Sequence, residues 1–545
     1  MSPSSVLANV VDLFSNRIVP AHIRIEGGHI QAIQPTEGPP LSTYVLPGFV
    51  DAHVHVESSM LPPAEVARLV LPHGTVAMVA DPHEIANVLG EEGIAFMRAS
   101  AAQTPLHFAF GAPSCVPATP FETAGASLNA EHVADLLAQP DISFLAEVMN
   151  WPGVLSGDPD LMAKIHVAHL FRKRVDGHAP GLRGEQAERY IRAGIETDHE
   201  CATLAEAEEK LAYGMKIALR EGSAAKNLDA LLPIVGKAPD RCFFCTDDCH
   251  PDDLTKGHIN LLVERAVAAG VPLFHVLAAA CKNPVLHYNL PIGLLRPGDP
   301  ADFIEVADLT HFRVLRTVLR GNVVAENGQT PLLHQPCPIL NCFHAEPISA
   351  DDLRVPVQGS KVRVIVATDR QLVTQERVES TPSSQGFLTS DPTRDILKLV
   401  VVNRYHPAQP AVALLAGMGL QSGAIASSVA HDSHNIVACG VSDTDIATAV
   451  NAVIAHRGGL CVAHGHHAPI LPLPIAGLMS NEPGPVVATR YANLTAEARA
   501  LGTPLTAPFM TLAFMALLVI PQLKLSDKGL FCGQTFQFVP LFCGG

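Results

Sequence analysis

Aromatic residues and positive charges are scarce in this sequence of 545 residues. Only 5% of the residues are aromatic, and Trp151 is the single tryptophan. The 37 Lys and Arg residues are outnumbered by 53 Asp and Glu residues, so the formal net charge is −16. Binding to a nucleic-acid backbone needs clustered Lys and Arg. We therefore expect no nucleic-acid partner.

Long apolar runs and targeting segments are also missing. The longest apolar run, residues 509–520, is shorter than the about 20 residues that a membrane helix needs. We expect it to form a buried helix, and we expect no contact with a membrane. Residues 1–16 lack the basic and apolar regions of a secretory signal. The 12 Cys residues are scattered along the chain, which indicates a reduced, cytoplasmic setting.

The remaining composition is that of a globular protein of several domains, with 48% hydrophobic and 17% charged residues. Residues 1–46 contain short strand-like runs with a Gly27-Gly28 pair between two of them, which is a hairpin signal. Similar runs return at 299–330. We expect these two flanks to form one small split β domain, a β-sandwich, and 350–545 to form a separate C-terminal α/β domain.

Between these parts, residues 47–298 alternate strand-like and helix-like segments. This alternation predicts an α/β fold, a (β/α)₈ barrel of the TIM type, in which the C-terminal ends of the strands form the active-site face. The candidate strands end near His55, Asp81, Gly111, Glu147, His178, His199, Arg220 and Asp247.

The first candidate strand ends in a His-x-His motif. Alternation along a strand points His53 and His55 to the same face, and two converging imidazoles are a common start of a divalent metal site. The alternative is a pair of hydrogen-bonded core histidines. Four further potential ligands at other strand ends argue for the metal site. The full candidate set is His53, His55, Glu147, His178, His199 and Asp247.

The order of these ligands along the strands resembles the amidohydrolase superfamily, for which residues 47–55 form the opening signature. Residues 80–90, 149–154 and 247–253 are similar to the bacterial adenine deaminases in particular, and the resemblance covers nearly the whole chain. It implies hydrolysis of adenine to hypoxanthine and ammonia at a divalent metal centre in the barrel, as a step of purine salvage or catabolism.

The fourth strand differs from that of many binuclear members of the superfamily. Those enzymes bridge their metals with a carboxylated lysine, but residues 142–150 contain no lysine. Glu147 is the only residue of this strand that could bridge as a carboxylate; otherwise it is a structural salt-bridge partner. We expect two divalent ions per chain, with Mn²⁺ or Fe²⁺ preferred and Zn²⁺ as the alternative, since His and carboxylate ligands accept all three.

Three residues are candidates for proton transfer. Asp247 could bind metal with one oxygen, take the proton of the water with the other, and return it to the leaving amine. Protonation of a purine ring nitrogen needs a separate acid. Glu84 or His83, in the turn that Pro82 begins after the second strand, could supply it. The alternative for both is a hydrogen bond or salt bridge that stabilises the loop.

The C-terminal domain contributes one further candidate site. Residues 431–435 are five consecutive polar residues between two strand-like runs, and they include His431 and His434. Local side-chain bonds that hold a hairpin would explain the Asp, Ser and Asn residues. Two histidines are not needed for that. We expect this loop to lie over the barrel mouth, where it binds the substrate or excludes water.

Two other functions remain as alternatives. A cyclic-amide hydrolase of the same superfamily, such as a dihydroorotase-like or hydantoinase-like enzyme, would normally carry the missing lysine and would release no ammonia. A catalytically silent metal-binding scaffold would usually lack at least one ligand, whereas every position is filled here. The expected partners are a purine base and further copies of this chain in a homo-oligomer.

Overall fold

The first strands of the chain form a meander next to the barrel. The computed structural model describes residues 5–38 and 41–543. The predicted hairpin at Gly27 and Gly28 is present, and both glycines have positive φ (59° and 78°), as two-residue hairpin turns require. The strands are β1 (Ser5–Asp12), β2 (Arg17–Glu26), β3 (His29–Pro35) and β4 (Tyr44–Leu46).

Eight parallel strands then form the barrel, which confirms the predicted fold class. They are β5 (Phe49–Val54), β6 (Thr75–Ala80), β7 (His107–Ala112), β8 (Ile142–Val148), β9 (Arg174–Gly177), β10 (Thr197–Asp198), β11 (Lys216–Arg220) and β12 (Cys242–Cys245). β5 to β9 pair in order, and so do β10 to β12. The Glu196 amide donates to the Val175 carbonyl (2.9 Å) between the two sets, and the Asp247 amide donates to the His53 carbonyl (2.9 Å) to close the barrel.

Helices surround the barrel and cover the outer face of its strands. Both faces of β5 and β6 are buried, and β6 is accordingly apolar at every position after Thr75, whereas β5 carries Asp51 and His53. Side-chain caps begin several helices; the Asp158 carboxylate caps α6 and the Thr203 hydroxyl caps α8. The helices are α1 (Pro63–Val70), α2 (His83–Leu89), α3 (Glu91–Ala101), α4 (Ala130–Leu137), α5 (Trp151–Ser156), α6 (Pro159–Leu170), α7 (Gly184–Arg192), α8 (Leu204–Ala212), α9 (Leu228–Lys237), α10 (Pro251–Leu254), α11 (Ile259–Ala268), α12 (Leu273–Leu277) and α13 (Asn283–Tyr288).

Three strands after the barrel return to the first sheet: β13 (Phe303–Val306), β14 (Val314–Leu319) and β15 (Asn322–Glu326). β13 pairs with β4, so the strands of both flanks form one seven-stranded sheet in the order β15-β14-β13-β4-β1-β2-β3. The domain limits at 46, 298 and 350 stay a prediction. All twelve cysteines are free.

The C-terminal part contains a nine-stranded mixed sheet with helices packed against it. The nine strands of this sheet are β16, β17, β20 to β25 and β29, while β18 and β19 form a two-stranded sheet and β26 to β28 a three-stranded one. The strands of the C-terminal part are β16 (Lys361–Val366), β17 (Gln375–Ser380), β18 (Ser383–Ser384), β19 (Phe387–Leu388), β20 (Leu397–Val402), β21 (Ala411–Ala416), β22 (Ala424–Ser427), β23 (Ile436–Gly440), β24 (Gly459–Ala463), β25 (Ile470–Pro472), β26 (Leu523–Ser526), β27 (Gly529–Cys532), β28 (Gln537–Phe538) and β29 (Phe542–Cys543). Its helices are α14 (Asp443–Ala455), α15 (Gly484–Ala500) and α16 (Pro508–Ala513).

The apolar run 509–520 is buried as predicted, but the prediction of a single helix is wrong. α16 ends at Ala513, and one 3₁₀ turn (Phe514–Ala516) follows. Tertiary contacts explain the break: the Phe514 ring packs 5.2 Å from the His431 ring, and Leu517 turns towards the barrel mouth. Within the described ranges, no helix is both long and apolar enough to cross a membrane.

Candidate metal centre

The strand ends bring the six predicted ligands together in one buried cluster. His53 lies in β5, and His55 follows that strand by one residue. Glu147 lies in β8, while His178 and His199 each follow directly after β9 and β10. Asp247 follows β12. All six side chains therefore occupy the C-terminal face of the barrel, where enzymes of this fold carry their active sites.

Glu147 lies at the centre of the cluster. Its Oε1 is 3.5 Å from His55 Nε2. Its Oε2 is 3.8 Å from His53 Nε2, 3.1 Å from His199 Nε2 and 3.0 Å from His178 Nδ1. The two carboxylate oxygens thus face different histidines.

Asp247 completes the cluster from the last strand. Its Oδ1 is 3.1 Å from His55 Nε2 and 3.6 Å from His53 Nε2. The backbone at Asp247 has a φ of 57°, a left-handed conformation that Asp tolerates better than most residues and that recurs at functional sites. The turn at this residue directs the carboxylate towards the histidines.

The chemistry of the cluster fits a metal site. Nε2 of His53, His178 and His199 is buried and has no hydrogen-bond partner within residues 5–38 and 41–543. A buried polar atom without a partner is costly unless a ligand satisfies it. Ligand atoms of His53, His55 and Asp247 lie within 4.8 Å of one another, and so do those of His53, Glu147 and His199. Imidazole and carboxylate donors at this spacing suit first-row divalent ions.

Arg220 and Glu200 belong to the site, and sequence reasoning did not assign either a role. The Arg220 guanidinium hydrogen bonds to both oxygens of Glu200 (2.5 and 2.9 Å) and to Asp247 Oδ2. Burial raises the pKa of the Asp247 carboxyl, but Arg220 and the neighbouring histidines outweigh it and hold that pKa well below its usual range. The positions of Arg220 and Glu200 in the sequence could have identified them as site residues, since Arg220 ends β11 and Glu200 follows His199.

The loop 431–435 of the C-terminal domain contacts the barrel through Glu84. His431 Nδ1 hydrogen bonds to one oxygen of Glu84, and His434 Nε2 hydrogen bonds to the other. His83 lies in the same layer, with Nδ1 3.0 Å from Asp81 Oδ2. The structure therefore brings His83, Glu84, His431 and His434 together beside the ligand cluster.

The two loop histidines determine the charge of Glu84. Burial raises the pKa of the Glu84 carboxyl, but His431, His434 and His83 together lower it well below its usual range. Burial alone would lower the pKa of His431, yet the carboxylates of Glu84 and Asp248 raise it to about 9. Near neutral pH the pair therefore consists of a Glu84 carboxylate and a protonated His431.

These groups surround a cavity at the barrel mouth. Leu372 and Leu517 of the C-terminal domain form apolar parts of its wall, and neither carries a sequence signal that would have identified it. The lining residues are His55, His83, Glu84, Glu147, Met149, His178, His199, Glu200, Asp247, Asp248, Leu372, His431, Asp432 and Leu517.

Comparison with known proteins gives two family matches and many similar sequences. Residues 44–324 match the model of the amidohydrolase family, and residues 371–537 match that of the adenine deaminase C-terminal domain. The chain is 55% identical to an adenine deaminase of Salinibacter ruber, over 99% of each chain. It is 53% identical to one of Sulfurovum sp. and 49% identical to one of Methanosarcina mazei, over 98% of each chain in both cases.

Proposed function

The chain belongs to the adenine deaminases of the amidohydrolase family, and we propose that its active site is the cluster at the barrel mouth. The protein hydrolyses adenine to hypoxanthine and ammonia. The observation that carries the assignment of the site is the position of Glu147, whose two oxygens face four histidines from three other strands. These ligands are proposed to hold two divalent ions.

The proposed ligands are the six residues predicted from the strand ends, with Glu147 as the bridge. A divalent metal bound there supplies Lewis acidity and lowers the pKa of water towards neutrality. Mn²⁺ and Fe²⁺ suit this donor set, and Zn²⁺ is the alternative. The three orphaned imidazole nitrogens support this proposal because a metal would satisfy each of them.

Deamination needs a base for the attacking water and an acid for the purine ring. Asp247 is the proposed base, since its Oδ1 faces the ligand histidines while Arg220 holds Oδ2. The water oxygen adds to C6 of adenine, its proton passes to Asp247, and a ring nitrogen gains a proton. The C6–N bond then breaks, and the leaving nitrogen departs as ammonia with the proton that Asp247 returns. The second water proton leaves the oxygen as the C6=O bond forms and restores the proton that was given to the ring nitrogen.

Glu84 and His431 are proposed to protonate the ring nitrogen together. The Glu84 carboxylate touches the cavity, and His431 carries the proton beside it. The ring nitrogen becomes basic during the attack. Glu84 then passes a proton to the ring nitrogen, and His431 supplies that proton to Glu84. His83 lies between Asp81 and Asp432 and is proposed to orient the groups around Glu84.

The loop 431–435 is proposed to cover the substrate and to exclude water. Its contacts with the barrel support this role: besides the two bonds to Glu84, the Asn435 side chain donates to the Thr123 carbonyl (2.9 Å). Exclusion of water strengthens the electrostatic interactions of a closed site.

The alternatives are not favoured. A cyclic-amide hydrolase would normally use a bridging lysine, whereas β8 has no lysine and carries Glu147. A silent scaffold would not need the Glu84–His431 pair beside a complete ligand set. A cytoplasmic location and a homo-oligomer remain proposals; the twelve free cysteines support the first.

Ammonia release from a substrate panel tests the function. The metal-loaded protein is incubated with adenine, other aminopurines, nucleosides and cyclic amides, and metal content is measured on the same sample. We expect ammonia from adenine and no ring opening of cyclic amides. Ring opening without ammonia release would contradict the proposal.

A further inference from the structure

A second carboxylate, Asp248, enters the cavity from the residue after Asp247. Side chains of successive residues in an extended strand point to opposite faces. That alternation does not apply to Asp247 and Asp248, which lie beyond the end of β12 and have a left-handed backbone at Asp247, and both carboxylates line the same cavity. Asp248 is buried. The wall of this cavity therefore contains two carboxylates from adjacent residues, Asp247 and Asp248.

Neighbouring groups hold the Asp248 carboxylate in place. Its Oδ1 accepts a hydrogen bond from Ser58 Oγ (2.5 Å) and lies 4.0 Å from His431 Nε2. Its backbone carbonyl accepts from the Ser223 amide (2.8 Å). No donor within residues 5–38 and 41–543 hydrogen bonds to Oδ2. The site therefore presents one carboxylate oxygen, Oδ2, that is available to accept an N–H or O–H group of a bound molecule.

The substrate has two kinds of N–H group from which such an oxygen could accept a hydrogen bond. The amino group on C6 leaves during the reaction and must gain a proton, which a carboxylate acceptor does not provide. The N–H of the five-membered ring takes no part in the chemistry and is unchanged in the product. A hydrogen bond to this ring N–H contributes equally to the ground state and the transition state.

We propose that Asp248 accepts a hydrogen bond from the ring N–H of a free purine base and thereby selects the base over purines substituted on that ring. This inference rests on the proposed function of the site. A nucleoside carries its sugar on the five-membered ring and so has no N–H there. Binding it would leave the carboxylate oxygen buried and unpaired, and sites built around a hydrogen bond reject analogues that lack it by a factor of about 10⁴.

Methylated adenines test the proposal on the metal-loaded protein. Ammonia release is measured for adenine, 7-methyladenine and 9-methyladenine, both of which lack the ring N–H, with the wild type, Asp248→Asn and Asp248→Ala. We expect the wild type to prefer adenine in kcat/KM by at least about 10²-fold. Asp248→Ala, which also makes room for the methyl group, should reduce that preference at least tenfold, chiefly by raising KM for adenine.

Two further variants serve as a graded test and a matched control. Ser58→Ala removes the donor that holds Asp248 and should raise KM less than Asp248→Asn does. Asp240→Asn makes the same chemical change on a side chain that is 79% exposed, before β12 at the opposite end of that strand, and should leave kcat and KM unchanged. If Asp248→Ala does not fold, Asp248→Asn, which keeps the acceptor for Ser58, gives the KM comparison.

Several results would overturn the proposal. An unchanged preference for adenine in Asp248→Ala and Asp248→Asn would remove the ring N–H as the partner. A fall in kcat with unchanged KM would assign Asp248 to the reacting centre, and loss of metal from both variants would assign it to the metal site. Wild-type protein that released no ammonia from adenine would contradict the proposed function itself, which is a separate and recognisable failure.

Discussion

The Arg220 guanidinium binds Asp247 at Oδ2, whereas Oδ1 is the oxygen that lies near the proposed ligands His53 and His55. It also hydrogen bonds to both oxygens of Glu200, at 2.5 and 2.9 Å. Because all three side chains are buried, the guanidinium balances two carboxylates that water does not reach. Arg220 therefore orients the proposed base and keeps it ionised.

Removal of this cation should be strongly destabilising. Arg220→Gln would leave two buried carboxylates without their partner, which typically costs about 3–5 kcal/mol. Denaturant unfolding of the wild type and the variant measures the difference. Arg265→Gln is the matched control, since Arg265 also joins two carboxylates but its side chain is 39% exposed, and we expect a loss within about 1 kcal/mol. An equal loss of unfolding free energy in the two variants would contradict the claim that burial makes the Arg220 contacts important.

Asp247→Asn should retain the fold but remove the proton acceptor. We expect kcat for adenine to fall by a factor of about 10²–10⁴, the range typical of general acid–base groups. Glu84→Gln should cause a smaller fall, because Glu84 is not a proposed metal ligand. Steady-state ammonia release measures both. Near-normal turnover in Asp247→Asn would move the role of base to another residue, with Glu84 the next candidate.

His431 should make both turnover and stability sensitive to alkaline pH. Its folded-state pKa of about 9 lies above the unfolded value near 6.5. Its protonation therefore stabilises the fold fully below pH 6.5, and this contribution is lost as the pH rises through about 9. The stability difference between the wild type and His431→Ala should shrink over that window, and the wild-type kcat/KM should decline near pH 9. His467→Ala, at a side chain that is 72% exposed, is the control. A pH-independent difference would contradict the proposed protonated His431.

The loop histidines should affect substrate binding or turnover rather than metal binding. Replacing His431 and His434 together by Ala should raise KM or lower kcat for adenine, since Glu84 loses both of its partners. Metal content should stay at the wild-type value, because neither residue is a proposed ligand. Unchanged kinetics in a variant that merely melts earlier would show that the loop is structural.

Much of the barrel and its ligand set follow from the sequence. Buried parallel strands are short and largely apolar, and most of those here are followed by a polar residue at the active-site face. His53 and His55 share a face because of the two-residue period of a strand. Local patterns of this kind also predict that Glu147 and His178 lie at the C-terminal ends of strands.

The contacts between distant parts of the chain could not be predicted in the same way. Glu84 and His431 are separated by 347 positions, and no local pattern indicates that the two segments meet. Asp248 was overlooked for a different reason. Continued strand alternation would direct it away from Asp247, but both residues lie beyond the end of β12, and the backbone at Asp247 is left-handed. The early end of α16 likewise depends on tertiary contacts with His431.

Glu147→Gln should separate the bridging role from a purely structural one. The amide keeps the shape of the side chain but offers one poor ligand atom in place of a second carboxylate oxygen. We expect lower metal content and lower turnover, measured on the same sample. Glu188→Gln, on the outer face of α7, is the matched control and should change neither. Full metal content in Glu147→Gln would contradict the bridge.

The most direct test of the metal centre is a titration of metal-depleted protein with Mn²⁺ while ammonia release from adenine is followed. If Glu147 bridges two ions among the five other ligands, turnover should rise until two equivalents per chain are bound and then stay constant. Full turnover with a single equivalent would contradict the two-metal centre.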